Sequence, residues 1–291
     1  FSAMIAAAQK DPNKAMSDSL TLYMTNHSPR SFIFTPESMK KITFENVNYI
    51  YSTAFDNASR FTFFIVGNIE ADQAKAMAEK YIGSLPSKVE NENWIDRKVS
   101  QPKGIVDKEI TMPLAVPKGT VVIVYSGKTK YIPKNYLSFE ALNGILDIVY
   151  TDKVREEQGG TYGVGINAAS QIRPQEKTRL LISFDCDPAR ATELKKIIYD
   201  ELNNIATVGP KQVDLDKTVS NMLKKREEEV AHNSYWSNVL QTYYNKGINI
   251  NDEKNFQTIL KSLTVKDMQK ITKKYLTDAD KLEIVFLPEK K

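Results

Sequence analysis

The sequence predicts an α+β fold: two duplicated domains, each a mostly antiparallel sheet with helices packed on it, the first of them incomplete. Three observations predict it. Stretches with helical period alternate with short apolar runs of strand length. One pattern of apolar positions recurs 221 residues later, Thr43 aligning with Thr264. A polar, proline-bounded stretch from Pro86 to Pro102 separates the two copies.

Taken in order, residues 14–25 read as a helix. Thr35-Pro36-Glu37 opens a short one, with Thr35 as cap and Pro36 at the first helical position. Another helix runs from near Thr43 to about Phe55. FTFFIVGN, residues 61–68, is a continuous aromatic and β-branched run and predicts a buried strand. Ala74, Met77, Ala78 and Tyr81 then share one helix face, ending at Gly83. Residues 86–104 are poorly periodic and read as a connection. Strands follow near 105–112 and 119–127. A helix starts around Lys134, buries Leu142, Ile145, Leu146 and Val149, and ends before Gly159-Gly160. Residues 161–169 and 176–186 read as strands. Asp187-Pro188 caps the next helix, which carries Leu194, Ile198 and Leu202. A long helix opens at Pro210, and another near Ser234 as cap. Two shorter helices and the strand LEIVFLP close the chain.

The repeat organises this list. Phe44 meets Val265, Val47 meets Met268, Ile50 meets Ile271, and FTFFIV meets LEIVFL. Upstream, Met39 meets Leu260 and Tyr23 meets Tyr244. The period is far longer than that of a solenoid, so it predicts domain duplication. On that arithmetic the first copy begins well upstream of Phe1, and the chain is expected to be part of something longer.

Composition narrows the function. The chain has 291 residues, 41% of them hydrophobic, enough for a sizeable core. Forty basic residues are nearly balanced by 36 acidic ones, giving a net charge of +4. The two signs are interspersed, which argues against nucleic-acid binding. Cys186 is the single cysteine. It makes no intrachain disulfide and reads as a small buried hydrophobe. No apolar run approaches a membrane span. The chain starts at Phe1 and not at methionine, which leaves the compartment open.

Several chemistries are missing. A hydrolytic zinc site needs two or three His or carboxylate ligands, two of them usually a helical turn apart. The two histidines, His27 and His232, lie far apart and neither has a His partner at i±4. Both read as structural. There is no Gly-rich phosphate loop, no G-x-S-x-G elbow, and no histidine near Cys186.

One stretch carries chemistry: VREEQGGTYGVGINAAS, residues 154–170. It joins a helix end with Arg155 to a Gly159-Gly160 turn and a strand that starts with Tyr162. The glycines permit positive φ and close backbone approach. A fixed guanidinium can fork onto peptide carbonyls. A phenol can donate to a carbonyl oxygen as negative charge develops on it. The same residues also have structural readings. An arginine at a helix C-terminus complements the helix dipole, and a tyrosine in a strand is ordinary packing.

VREEQGGTYGVG resembles the Arg–x6–Tyr signature in the C-terminal half of pitrilysin/insulinase (M16) zinc metallopeptidases. FTFFIVGNIEADQAKAMAEKYIGSLPS resembles their strand–helix segment with a Gly-x-Leu-Pro-like ending. The resemblance covers nearly the whole chain, from about His27 to Pro288. In that family four similar α+β domains form two halves that close over a peptide. The resemblance implies that residues 1–88 end the third domain, 89–103 link, and 104–291 form the fourth. It implies that Arg155 and Tyr162 bind substrate backbone beside Gly159 and Gly160, with Tyr162 near the scissile carbonyl. It implies Zn2+ in the full-length protein, held by a His-x-x-Glu-His motif that this chain lacks. The implied partners are a peptide substrate and the zinc-bearing N-terminal half, in the same protein or a separate subunit. The chain alone is expected to be inactive. The alternative within the family is a non-catalytic subunit or scaffold. Periplasmic, organellar and cytoplasmic settings all fit the resemblance.

Overall fold

The computed structural model describes residues 2–89, 95–114, 117–156, 161 and 163–289. Helix α1 (Ser2–Ala8) leads to α2 (Pro12–Met24), where Asp11 accepts the Asn13 amide and Pro12 fills the first helical position. Helix α3 (Pro36–Met39) starts at a Thr35–Ser38 capping box. Helix α4 (Phe44–Phe55) starts at Thr43, whose hydroxyl accepts the Asn46 amide at 3.2 Å. Helix α5 (Ala71–Tyr81) precedes the first strand. Then come β1 (Ile105–Met112), β2 (Gly119–Lys128), α6 (Pro133–Tyr150), β3 (Val164–Gln171) and β4 (Lys177–Cys186). The chain closes with α7 (Ala191–Thr207), α8 (Gln212–Glu229), α9 (Asn233–Lys246), α10 (Gln257–Ser262), α11 (Val265–Thr277) and β5 (Asp280–Pro288).

The strands form one sheet in the order β1-β5-β2-β4-β3. β1 runs parallel to β5, and the other three pairings are antiparallel. Along β4, Thr178, Leu180, Ile182, Phe184 and Cys186 are buried on one face, the period-two pattern of a strand with one face on a core. β2 is central and covered on both faces, so its first eight residues are all buried. The main core lies between the sheet and α6, α7 and α11, and includes Ile123, Leu142, Leu194, Ile198 and Met268. The opposite face is covered by α2: Met16, Leu20 and Tyr23 pack on Val122, Val124, Ile284 and Phe286. A helix that the sequence assigns to the first copy thus covers the sheet of the second. Cys186 is buried, and that burial pushes its thiol pKa up, as expected of a packing residue.

The repeat is also structural. At the 221-residue offset, α1 ends where α8 ends, α2 starts where α9 starts, and α3 starts where α10 starts. α4 and α11 start together as well, each capped by a threonine, Thr43 or Thr264. After α9, Gly247 takes φ 66°; its counterpart Asn26 takes φ 50°. Glycine reaches that left-handed region freely, and asparagine is the residue that best replaces it there.

Two expectations need correction. FTFFIV is not a buried strand. It joins no sheet among the described residues, and Phe61, Phe63 and Ile65 are 38%, 50% and 52% exposed. Their counterparts in β5, Leu282, Ile284 and Phe286, are 2%, 0% and 0% exposed. A strand is completed by its neighbours. β5 has β1 and β2 on its two sides, whereas residues 61–66 have no strand beside them among the described residues. The second correction is smaller. Ser234 is not the cap of α9: His232 holds that position, and Ser234 lies in the first turn.

Candidate functional site

The VREEQGGTYGVG stretch lies where α6 hands over to β3. α6 buries Leu137, Phe139, Leu142, Ile145 and Leu146 along one side. At its end Tyr150 is fully buried, and its hydroxyl donates to the Ile198 carbonyl of α7 at 3.2 Å. Burial raises the Tyr150 pKa well above its ordinary value, so the phenol stays neutral and fixes the helix end. The chain then makes a turn of π-helix, Thr151–Glu156. Val154 in that turn is 0% exposed and belongs to the main core.

Arg155 follows Val154 in the π turn. The Arg155 side chain, Gly159, Gly160 and Tyr162 lie outside the described residues. Beyond them, Thr161 Oγ1 donates to the Gly163 carbonyl at 3.0 Å and accepts the Gly163 amide at 3.3 Å. Val164 then opens β3 and packs on the core. Val154, buried, and Val164, partly buried, thus flank the 155–162 segment in the sequence.

Two features here escaped the sequence reading. Asn143 of α6 accepts the Ala168 amide of β3 through its side-chain oxygen at 2.9 Å. It sits beside Gly144, where an added Cβ would meet Thr218 Cγ2 of α8 at 2.7 Å. An Asn-Gly pair inside a helix is costly, and that cost was the available signal. At the same end of the sheet as Val164 and Phe184, Asp185 accepts from Lys118 Nζ and from the Thr120 hydroxyl, each at 2.6 Å. Burial pushes the Asp185 pKa up, but these two bonds outweigh it and hold the carboxyl low. Lys118 and Asp185 are 67 residues apart, so no local pattern pairs them.

The histidines do not converge on a metal. The His27 ring stands edge-on to Tyr23 at 4.8 Å, and His232 starts α9. Among the described residues no group of three His, Cys, Asp or Glu side chains is placed to hold a metal ion. The described residues therefore do not fit a zinc centre.

A family model described as the peptidase M16 inactive domain matches residues 41–222. The chain belongs to the peptidase M16 family. This M16 chain is 26% identical over 180 residues to the probable zinc protease PqqL of Haemophilus influenzae, covering 61% of this chain and 19% of that protein. The fold is that of the periplasmic protease PqqL from Escherichia coli: TM-score 0.79 at 18% identity, over 99% of this chain and 32% of that one. It is also that of the ferredoxin protease FusC, in a structure with Arabidopsis ferredoxin: TM-score 0.75 at 14% identity, over 97% and 31%. The M16 chain spans about a fifth to a quarter of the length of the curated relatives it matches. No helix among the described residues is long and apolar enough to cross a membrane.

Proposed function

We propose that this chain is the C-terminal, substrate-binding half of a zinc metalloendopeptidase. In this reading Arg155 forks onto substrate carbonyls, and Tyr162 donates to the scissile carbonyl as charge builds on its oxygen. Gly159 and Gly160 let the backbone come close to the peptide. Zinc and the hydrolytic water belong to an N-terminal half, in the same protein or a separate subunit. Residues 1–88 close one α+β domain, 89–103 connect, and 104–291 form the next.

Membership of the M16 family carries this reading, together with the VREEQGGTYGVG stretch at the α6–β3 junction. A residue that aligns a reacting carbonyl has to be held by its neighbours. Val154 and Val164, on either side of that segment in the sequence, pack on the main core.

The test is Tyr162→Phe in the full-length protein, with a quenched peptide as substrate. Turnover should fall roughly a hundredfold, as loss of one oxyanion donor does. Unchanged turnover would sink the role of Tyr162. Zinc-dependent cleavage by residues 1–291 alone would overturn the split between the halves.

A further inference from the structure

One end of the sheet gathers positive charge. In the antiparallel ladder Lys128 of β2 stands directly opposite Lys177 of β4, and Ser126 stands opposite Arg179. All four side chains lie on the α2 side of the sheet, the side of Val122 and Val124. Side chains directly opposite start about 5 Å apart, and like charges there repel. Among the described residues the side chains of Lys128, Lys177 and Arg179 have no ion-pair or hydrogen-bond partner. The Arg179 Nε is buried in that state.

Residues 96–103 border this end of the sheet and leave a cavity of about 340 Å³ against it. Gln101, Lys103, Ser126, Lys128 and Lys177 are among the residues that line it. The Gln101 Nε2 is buried and has no acceptor. Lys103 is exposed and has no carboxylate partner among the described residues. Two carboxylates also line the cavity, and both are engaged. Asp96 accepts the Lys98 amide at 2.8 Å, Lys98 Nζ at 3.0 Å and Gln175 Nε2 at 3.2 Å. Asp280 accepts the Gly104 amide at 2.6 Å. The ammonium groups of Lys103, Lys128 and Lys177, and the buried Gln101 and Arg179 donors, are thus left without an acceptor.

We infer that this cavity binds a phosphate-class dianion between Lys103, Lys128 and Lys177. Lysine meets phosphate as a compact point charge. A doubly charged ligand cancels the repulsion of both opposed lysines, where a carboxylate carries half the charge. A phosphoryl group also has enough oxygens to take several ammonium and amide donors at once. The recognised chemistry is that group, as the free ion or in a monoester. Once bound, it ties residues 101–103 to the ends of β2 and β4. The inference goes beyond the proposed peptide-holding role and does not depend on it.

The test is calorimetry on the full-length protein at constant ionic strength, with inorganic phosphate, glycerol phosphate and acetate as probes. Phosphate should bind at a site that Lys128→Gln and Lys177→Gln each weaken about tenfold, the worth of one charged hydrogen bond. Lys225→Gln, which changes a lysine of α8 paired with Glu229, should leave binding unchanged. Urea unfolding gives a second readout. Without phosphate, Lys128→Gln should raise the midpoint, because it removes the repulsion across the ladder. With saturating phosphate the same substitution should lower it. Glycerol phosphate separates the two sources: binding as tight as that of phosphate supports a monoester, and binding of phosphate alone supports the free ion. Phosphate that does not bind, acetate that binds as well, or phosphate binding unchanged in both lysine variants would overturn the site. So would an equal loss in Lys225→Gln, or a midpoint that Lys128→Gln lowers equally with and without phosphate.

Discussion

Residues 2–67 and 223–288 share one order of helices in opposite circumstances. Helix boundaries, threonine caps and the left-handed residue after the second helix coincide at a constant offset. Burial does not. Val47 and Tyr51 on α4 are 51% and 63% exposed, while Met268 and Thr272 at the matching places on α11 are 0% exposed. The later copy rests on β2, α6 and α7; the earlier one leaves Phe44, Ile50, Phe55 and Phe63 open. The contrast separates what a helix needs from what a core needs. Caps and periodicity act within one stretch of chain, so both copies form their helices. Apolar faces need a surface to meet, and among the described residues only the later copy has its own sheet to meet.

The largest effect that would break this comparison is a core truncation. Met268→Ala should cost about 2–5 kcal/mol in urea unfolding, because the cavity adds to the lost transfer energy. Val47→Ala should stay within about 0.5 kcal/mol. Equal losses would mean that the face of α4 is covered after all.

A second contrast concerns β5. Glu283 is buried, accepts from Lys195 Nζ at 2.6 Å and takes the Tyr199 hydroxyl as a further donor. Burial first, then the bond to Glu283 and its charge, push the Tyr199 pKa up, so the phenol remains a donor. Glu283→Gln should cost about 1–3 kcal/mol, since the lysine loses its partner where it is partly buried. Thr62, the matching residue of the earlier copy, should tolerate alanine with no measurable change in the same urea assay.

The smallest effect separates the two caps by pH. Asp267 completes the α11 capping box and pairs with Lys134 at 3.2 Å, whereas α4 has the uncharged Asn46 at that place. Burial raises the Asp267 pKa, but Thr264 and Lys134 outweigh it and hold the carboxyl below its ordinary value. A depressed folded pKa means stabilisation that is present above the unfolded value of 3.8 and lost as pH falls through the lower folded one. The urea midpoint should therefore drop on going from neutral pH to below that window. In Asp267→Asn it should drop less. An identical drop would assign the acid sensitivity to other carboxylates.

Much of this was legible in the sequence, and the parts that were not share a cause. Thr35 and Asp187 were readable as caps, Thr43 as the start of a helix, and Leu194, Ile198 and Leu202 as a buried face, because helical hydrogen bonds close within four residues. The repeat, the α+β class and the VREEQGGTYGVG stretch were readable for the same reason: each is a pattern along the chain. Tertiary structure alone decided the rest. FTFFIV and LEIVFL are equally strand-like, yet only the second is a strand, because β1 and β2 lie beside it. The parallel pairing of Ile105 with Lys281 joins residues 176 positions apart, and no local signal specifies it. The Asn143–Ala168 bond, the Lys118–Asp185 pair and the placing of α2 on the far face of the sheet are long-range in the same way. Sequence sets what a segment can become, through bonds it makes with itself. Which apolar faces are covered, and which strand edges stay open, depends on groups brought together from distant parts of the chain.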